Sequence, residues 1–186
     1  YRYKLYIDVK DEHLKRMLWL IAPVLIGVAV NQINTIVDRT IASTLVEGSI
    51  SALNYATKLN QFVMGMFIVS ISSVVYPMLS KLSSENNKEQ FNKSIITSVN
   101  TVTLLVIPIS IGAIILANPI VKLLFQRGEF DVRATQMTAV ALIFYSIGMI
   151  GYGLRDILGK VFYSLQDTRT PMINGVIAMV LNITLN

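Results

Sequence analysis

Long stretches without a single charge divide the chain. Lys93 and Lys122 bracket 28 uncharged residues, and other uncharged runs cover Met17–Val37, Leu59–Ser80, Ala134–Leu154 and Thr170–Asn186. A surface helix of a soluble domain sets an apolar stripe against a polar face. These runs are instead apolar around most of their circumference. A helix needs about 20 residues to cross the hydrocarbon layer. Four runs meet that length, and the fifth is cut short where the sequence stops. The pattern predicts an all-α fold: a polytopic membrane helical bundle of four complete spans and one truncated span.

The punctuation between runs places the elements. Residues 1–16 alternate apolar and polar side chains, which suits a cytoplasmic or interfacial segment, extended or lying on the surface. The expected helices, all in the transmembrane region 17–186, are 17–46, 49–79, 92–117, 134–158 and 171–186. Glu47-Gly48-Ser49 turns the chain, with Gly48 supplying backbone freedom. The second span is expected to end near Pro77, and Pro108 to kink the third. Between the third and fourth spans, PIVKLLF reads as a short interfacial helix and RGEFD as a turn. Pro171 suits the first turn of the fifth span. Gly148, Gly151 and Gly153 would admit a close neighbouring helix.

Composition supports this reading. Hydrophobic residues make up 53% of the 186 and charged residues 15%, with a mean hydropathy of +0.58. The start, YRYKLY, and the stop inside an apolar run lead to the expectation of a piece of a longer membrane protein. A net charge of +5 raises the question of nucleic acid, and the placement of the cations decides it. Five Lys/Arg precede residue 17, Lys81, Lys88 and Lys93 follow the second span, and Arg155, Lys160 and Arg169 follow the fourth. These eleven share one side of the membrane, against Lys122, Arg127 and Arg133 on the other. The positive-inside rule then puts residues 1–16 in the cytoplasm, and the cations report topology, not nucleic-acid binding. With one His, no Cys, no phosphate-binding glycine loop and no metal-spaced cluster, no enzymatic arrangement emerges and no cofactor is expected.

Two cations fall inside spans: Arg39, beside Asp38, and Lys58. At about 100° per residue, Asn31, Asn34 and Asp38 share one helical face. Asn54, Lys58 and Gln61 share another on the next span. Counting from the turn at 47–48, Asp38 and Lys58 are expected at similar depth, about 15 Å below the outer surface. Each unpaired charge there costs about 2.5–3.5 kcal/mol even on a lenient insertion scale. One reading is a helix-fastening ion pair with hydrogen-bonding amides. The other is a cationic, amide-rich wall beside a water-filled cavity that receives an anion, with Arg39 offering a planar fork and Lys58 a mobile point charge. Transport would then draw on an ion gradient or on the membrane potential, at about 2.3 kcal/mol per charge per 100 mV.

The strings DRTIASTLVEGSISALNYATKLNQF, VVYPMLSKLS, LLFQRGEFD and GLRDILGKVFYSLQDTRTPM closely resemble the second half of the MurJ (MviN) family of bacterial lipid II flippases. The resemblance covers essentially the whole chain. It implies part of a 14-helix transporter of the MOP exporter superfamily, from the seventh helix to the start of the eleventh, in the bacterial cytoplasmic membrane. It also implies outward movement of an anionic lipid-linked peptidoglycan precursor by alternating access, with the remaining helices of the full-length chain as partners. The family's cationic cavity is thought to take the pyrophosphate and sugar head group. Its helix-eight pattern, Tyr-Ala-x-Arg-Leu, is similar to Tyr55-Ala56-Thr57-Lys58-Leu59, where Lys keeps the charge and loses the bidentate fork. Some members carry an acid where this chain has Gln61. Arg39, Lys58, Asp38, Asn34, Asn54 and Gln61 are the expected substrate-binding residues, and the resemblance adds a family cavity position at Lys58. Asp38 with Asn182 and Asn186 is an expected sodium site in the manner of relatives that have one. A related exporter of drugs or polysaccharide lipids, and a scaffold that transports nothing, are the alternatives.

Overall fold

The computed structural model describes residues 12–185. All regular structure among them is helical: α1 Glu12–Ala42, α2 Ser49–Val63, a π-helical turn Met64–Val69, α3 Ser70–Ser84, α4 Lys88–Ile115, α5 Ala117–Phe125, α6 Val132–Ser164 and α7 Arg169–Leu185. Four segments are long and apolar enough to cross a membrane: Leu14–Ala42, Ser49–Ser84, Lys88–Ile115 and Val132–Ser164. The alternating segment expected at the start lies outside the described residues except for 12–16, which begin α1.

Several boundaries differ from the sequence expectation. Helix α1 stops at Ala42, not near residue 46. The second span runs past Pro77 to Ser84, and α6 runs past 158 to Ser164. Charge-free windows measure hydrocarbon thickness, and a helix continues through charged residues until its backbone is capped. Asn87 caps α4 by accepting the Gln90 N–H at 3.2 Å, and Asp131 caps α6 by accepting the Ala134 N–H at 2.8 Å. The turn before α2 uses Gly48 at φ +93°, a region that favours glycine.

Contacts divide the chain into two compact units, Tyr1–Val37 with Gln166–Asn186, and Asp38–Leu165. In the first, Arg169 lies 4.1 Å from the Trp19 ring centre and Arg16 donates to Gln166 Oε1 at 2.6 Å. Asp167 accepts the N–H groups of Arg169 and Thr170 and the Thr170 hydroxyl, which fixes the start of α7. The Thr170 hydroxyl bond, followed by the backbone bonds, holds the Asp167 carboxyl below its ordinary pKa.

The second unit is built around α6, which packs against α2, α3, α4 and α5. Its core has three layers along α6. Ala56, Ala117, Val121, Ala139 and Leu142 form one, and Ile68, Val102, Val106, Met149 and Ile157 the next. Val75, Leu79, Phe91 and Val161 close the far end. Much of the interior is small or hydroxylated, including Ala52, Ala56, Ser98, Ser110, Thr138 and Ser146, while Leu104, Val74, Phe144 and Leu123 project outward. Lipid is as apolar as leucine, so helices in it gain by close backbone approach and turn large side chains to the solvent hydrocarbon. Of the three glycines expected at contacts, only Gly153 has one. A Cβ there would lie 3.0 Å from both Ile68 Cδ1 and Val102 Cγ1, while Gly148 and Gly151 face open space.

Candidate substrate-binding face

Helix α2 separates packing from polarity. Ala52, Ala56 and Asn60 recur every four residues and are buried. Asn54, Lys58 and Gln61 are exposed and, at about 100° per residue, lie on the opposite side of the helix. The Lys58 ammonium stands 5.5 Å from the centre of the Tyr55 ring. That ring in turn packs against Phe125 at 4.8 Å and edge-to-face against Phe130 at 5.1 Å. Lys58 is therefore not folded into the core as half of a dry ion pair.

The other expected residues that the structure describes lie on α1 and α7. Asp38 and Arg39 are exposed near the end of α1, Arg39 in its last turn, where a cation complements the helix dipole. Asp38 lies four residues before the helix end and Lys58 nine after the start of α2, rises of about 6 Å and 13.5 Å. The sequence count runs α1 up to the turn at 47–48, whereas residues 43–48 link the two helices outside α1. Asn34 is half-buried and belongs to the other unit. Of the expected sodium ligands, Asn186 lies outside the described residues, and Asp38 and Asn182 fall in different units. Among the described residues no group of three or more His, Cys, Asp or Glu gathers as metal ligands.

The fold and the exposed cation fit a membrane transporter, and comparison with known proteins decides the family. The whole chain, residues 1–186, matches the family model described as lipid II flippase MurJ. The chain belongs to the MurJ family. It is 38% identical over 177 residues to the probable lipid II flippase MurJ of Vibrio cholerae, covering 95% of this chain and 34% of that protein. It is 36% identical over 183 residues to the Haemophilus influenzae protein of the same description, covering 95% and 36%. A solved structure, lipid II flippase MurJ in an inward closed conformation, superposes with a TM-score of 0.77 at 33% identity, covering 96% of this chain and 37% of that one. The chain thus spans about a third of the length of the relatives it matches. Membership of MurJ, with four membrane-length helices, makes it part of a multi-pass membrane protein.

Sequence reasoning missed a second polar group in this MurJ-family chain. Arg155 and Lys160 were counted as charges beyond the fourth span, yet α6 carries both, together with Asp156. The buried Ser72 hydroxyl of α3 donates a hydrogen bond to Asp156 Oδ2. Lys160 lies 4.0 Å from Asp156 Oδ1, one helical turn away, with both side chains about one-third exposed. Such an exposed i,i+4 pair contributes about 0.3–0.5 kcal/mol, against about 1.5–3 kcal/mol for a hydrogen bond to a charged group. The Ser72 bond therefore dominates, fastening α3 to α6. The i,i+4 spacing of Asp156 and Lys160 was the available signal. Ser72 had none, because its partner is 84 residues away. Tyr55 also escaped notice as a contact residue, since only the fold brings Phe125 and Phe130 to it.

Proposed function

We propose that this chain forms part of the second lobe of a lipid II flippase, and that Lys58 and Arg39 stand on the wall of its substrate cavity. The single observation that carries the reading is the exposed Lys58 side chain on the side of α2 opposite the buried Ala52, Ala56 and Asn60. Its ammonium sits within Ser49–Ser84, one of the four segments long and apolar enough to cross a membrane. Facing hydrocarbon, it would cost about 2.5–3.5 kcal/mol. Facing a wet cavity, it keeps its hydration and offers its charge to an anion. The family's lipid II carries a pyrophosphate between lipid and sugars, so its head group supplies the complementary charge. Asn54 and Gln61, exposed on the same side, add amide donors and acceptors suited to sugar hydroxyls.

In this reading the protein acts as a transporter in the bacterial cytoplasmic membrane and catalyses no covalent step. Its motion is driven by a sodium gradient or by the membrane potential acting on its charges. The partners are lipid II, the bilayer and the other helices of a flippase of the relatives' length. Replacing both Arg39 and Lys58 by Gln in the full-length protein is expected to abolish growth of a strain depleted of its own flippase, with membrane insertion intact. Normal growth of that double variant refutes the assignment. Accumulation of lipid II on depletion separates this activity from export of another lipid-linked sugar or a drug.

A further inference from the structure

Lys58 is a flexible side chain asked to meet an anion at a fixed place, and the structure sets one aromatic ring beside it, itself packed on two others. We infer that Tyr55 is a positioning residue for the Lys58 ammonium, and that Phe125 and Phe130 hold Tyr55 in place for that task. This inference rests on the reading of Lys58 as a head-group-binding cation.

The geometry runs from backbone to charge in four steps. Gly128, at φ +57°, lets the segment between α5 and α6 turn so that the Phe130 N–H donates to the Arg127 carbonyl at 3.1 Å. The Asp131 cap of α6 follows at once, so Phe130 is pinned on both sides. Phe125 is the last residue of α5, and the two Phe rings lie 5.9 Å apart. Both meet the Tyr55 ring at 4.8 and 5.1 Å, within the 4.5–7 Å range in which tilted and edge-on aromatic pairs attract. Tyr55 and Lys58 are three residues apart, neighbours on one side of α2. The ammonium, 5.5 Å from the ring centre, lies within the reach of a cation–π attraction.

The choice of partner matters chemically. A carboxylate would hold the ammonium more strongly but neutralise it, leaving nothing for a pyrophosphate to meet. A ring face restrains the four-carbon stem and leaves the full positive charge in place. The connection between α5 and α6, outside any polar face of the spans, thereby acts on the substrate cation without touching substrate.

The test uses the full-length protein, with lipid II in detergent micelles as the ligand and the accessibility of Lys58 to an amine-acylating reagent, read by mass spectrometry, as a second measurement. Tyr55→Leu is expected to weaken lipid II binding about three- to tenfold and to speed acylation of Lys58, while Tyr55→Phe, which keeps the ring, restores both. In a Lys58→Gln background, Tyr55→Leu is expected to bring no further loss. Phe130→Leu, one contact farther out, is expected to move acylation and binding in the same direction by a smaller factor, and it decides the matter should Tyr55→Leu fold poorly. Binding and acylation unchanged in Tyr55→Leu or Phe130→Leu, with Lys58→Gln defective, overturns the positioning role alone. Wild-type binding by Lys58→Gln overturns the parent reading, and the acylation rates then decide whether the ring holds the ammonium.

Discussion

Gly153 is where α6 packs tightly against Ile68 of the second span and Val102 of α4, and replacing it with Ala tests how that contact is made. The added Cβ would lie 3.0 Å from Ile68 Cδ1, 3.0 Å from Val102 Cγ1 and 3.5 Å from Val106 Cγ2. All three neighbours are at most 1% exposed, so none can swing outward. Overpacking of this kind costs about 1–3 kcal/mol, while Ala in place of Gly inside a helix returns about 1 kcal/mol. The net expectation for Gly153→Ala is a loss of about 0–2 kcal/mol. Gly148→Ala, on the same helix with open space at its Cβ, is expected to gain about 0.5–1 kcal/mol. Unfolding in mixed dodecyl sulfate micelles, followed by far-UV circular dichroism, measures both. Ile68→Val removes the Cδ1 atom and alone costs about 0.5–1.5 kcal/mol, but should cost measurably less in the Gly153→Ala background. If Gly153→Ala is as stable as Gly148→Ala, and Ile68→Val costs the same with and without it, the tight contact does not exist.

Two further outcomes follow from the hydrogen bonds. Ser72→Ala strips Asp156 of its partner on α3 and is expected to lose about 1–3 kcal/mol. Ser73→Ala, which removes a bond only to the Ser70 carbonyl of the same helix, should stay within about 0.5 kcal/mol, and equal midpoints for the two variants would contradict the latch between α3 and α6. Asp167 has a folded pKa below its unfolded value, so its contribution is present above about pH 4 and is lost as pH falls through the lowered folded pKa. Hydrogen exchange at the Thr170 amide should therefore be faster in Asp167→Ala than in wild type at neutral pH, with the difference vanishing in strong acid.

The spans were legible because hydrocarbon thickness imposes a length, and uncharged runs record it. PIVKLLF and RGEFD were legible for local reasons as well: α5 covers Ala117–Phe125, and Gly128 sits in the turn after it. Pro77 misled, since its missing N–H marks a break in water, whereas a long membrane helix carries the defect through its interior. The face of Asn54, Lys58 and Gln61 came from α-helical periodicity within one unbroken stretch of α2. The Tyr55–Phe130 and Ser72–Asp156 contacts join residues 75 and 84 positions apart, and no local pattern marks them. The same holds for Gly153, which looks no different in sequence from Gly148 and Gly151 until Ile68 and Val102 are placed beside it.

The π turn at Met64–Val69 gives the second span two phases. It begins where the Met64 N–H is shared between the Asn60 and Gln61 carbonyls. One residue more than an α-helix would use rotates everything beyond it by about 100°. Counted with that extra residue, Ser72, Val75 and Leu79 fall on the same side as Ala52, Ala56 and Asn60. The bulge thus lets both halves of the rod lay one continuous flank against α6, and deleting one residue from Met64–Val69 would restore an α-helix without turning either half away from its neighbours.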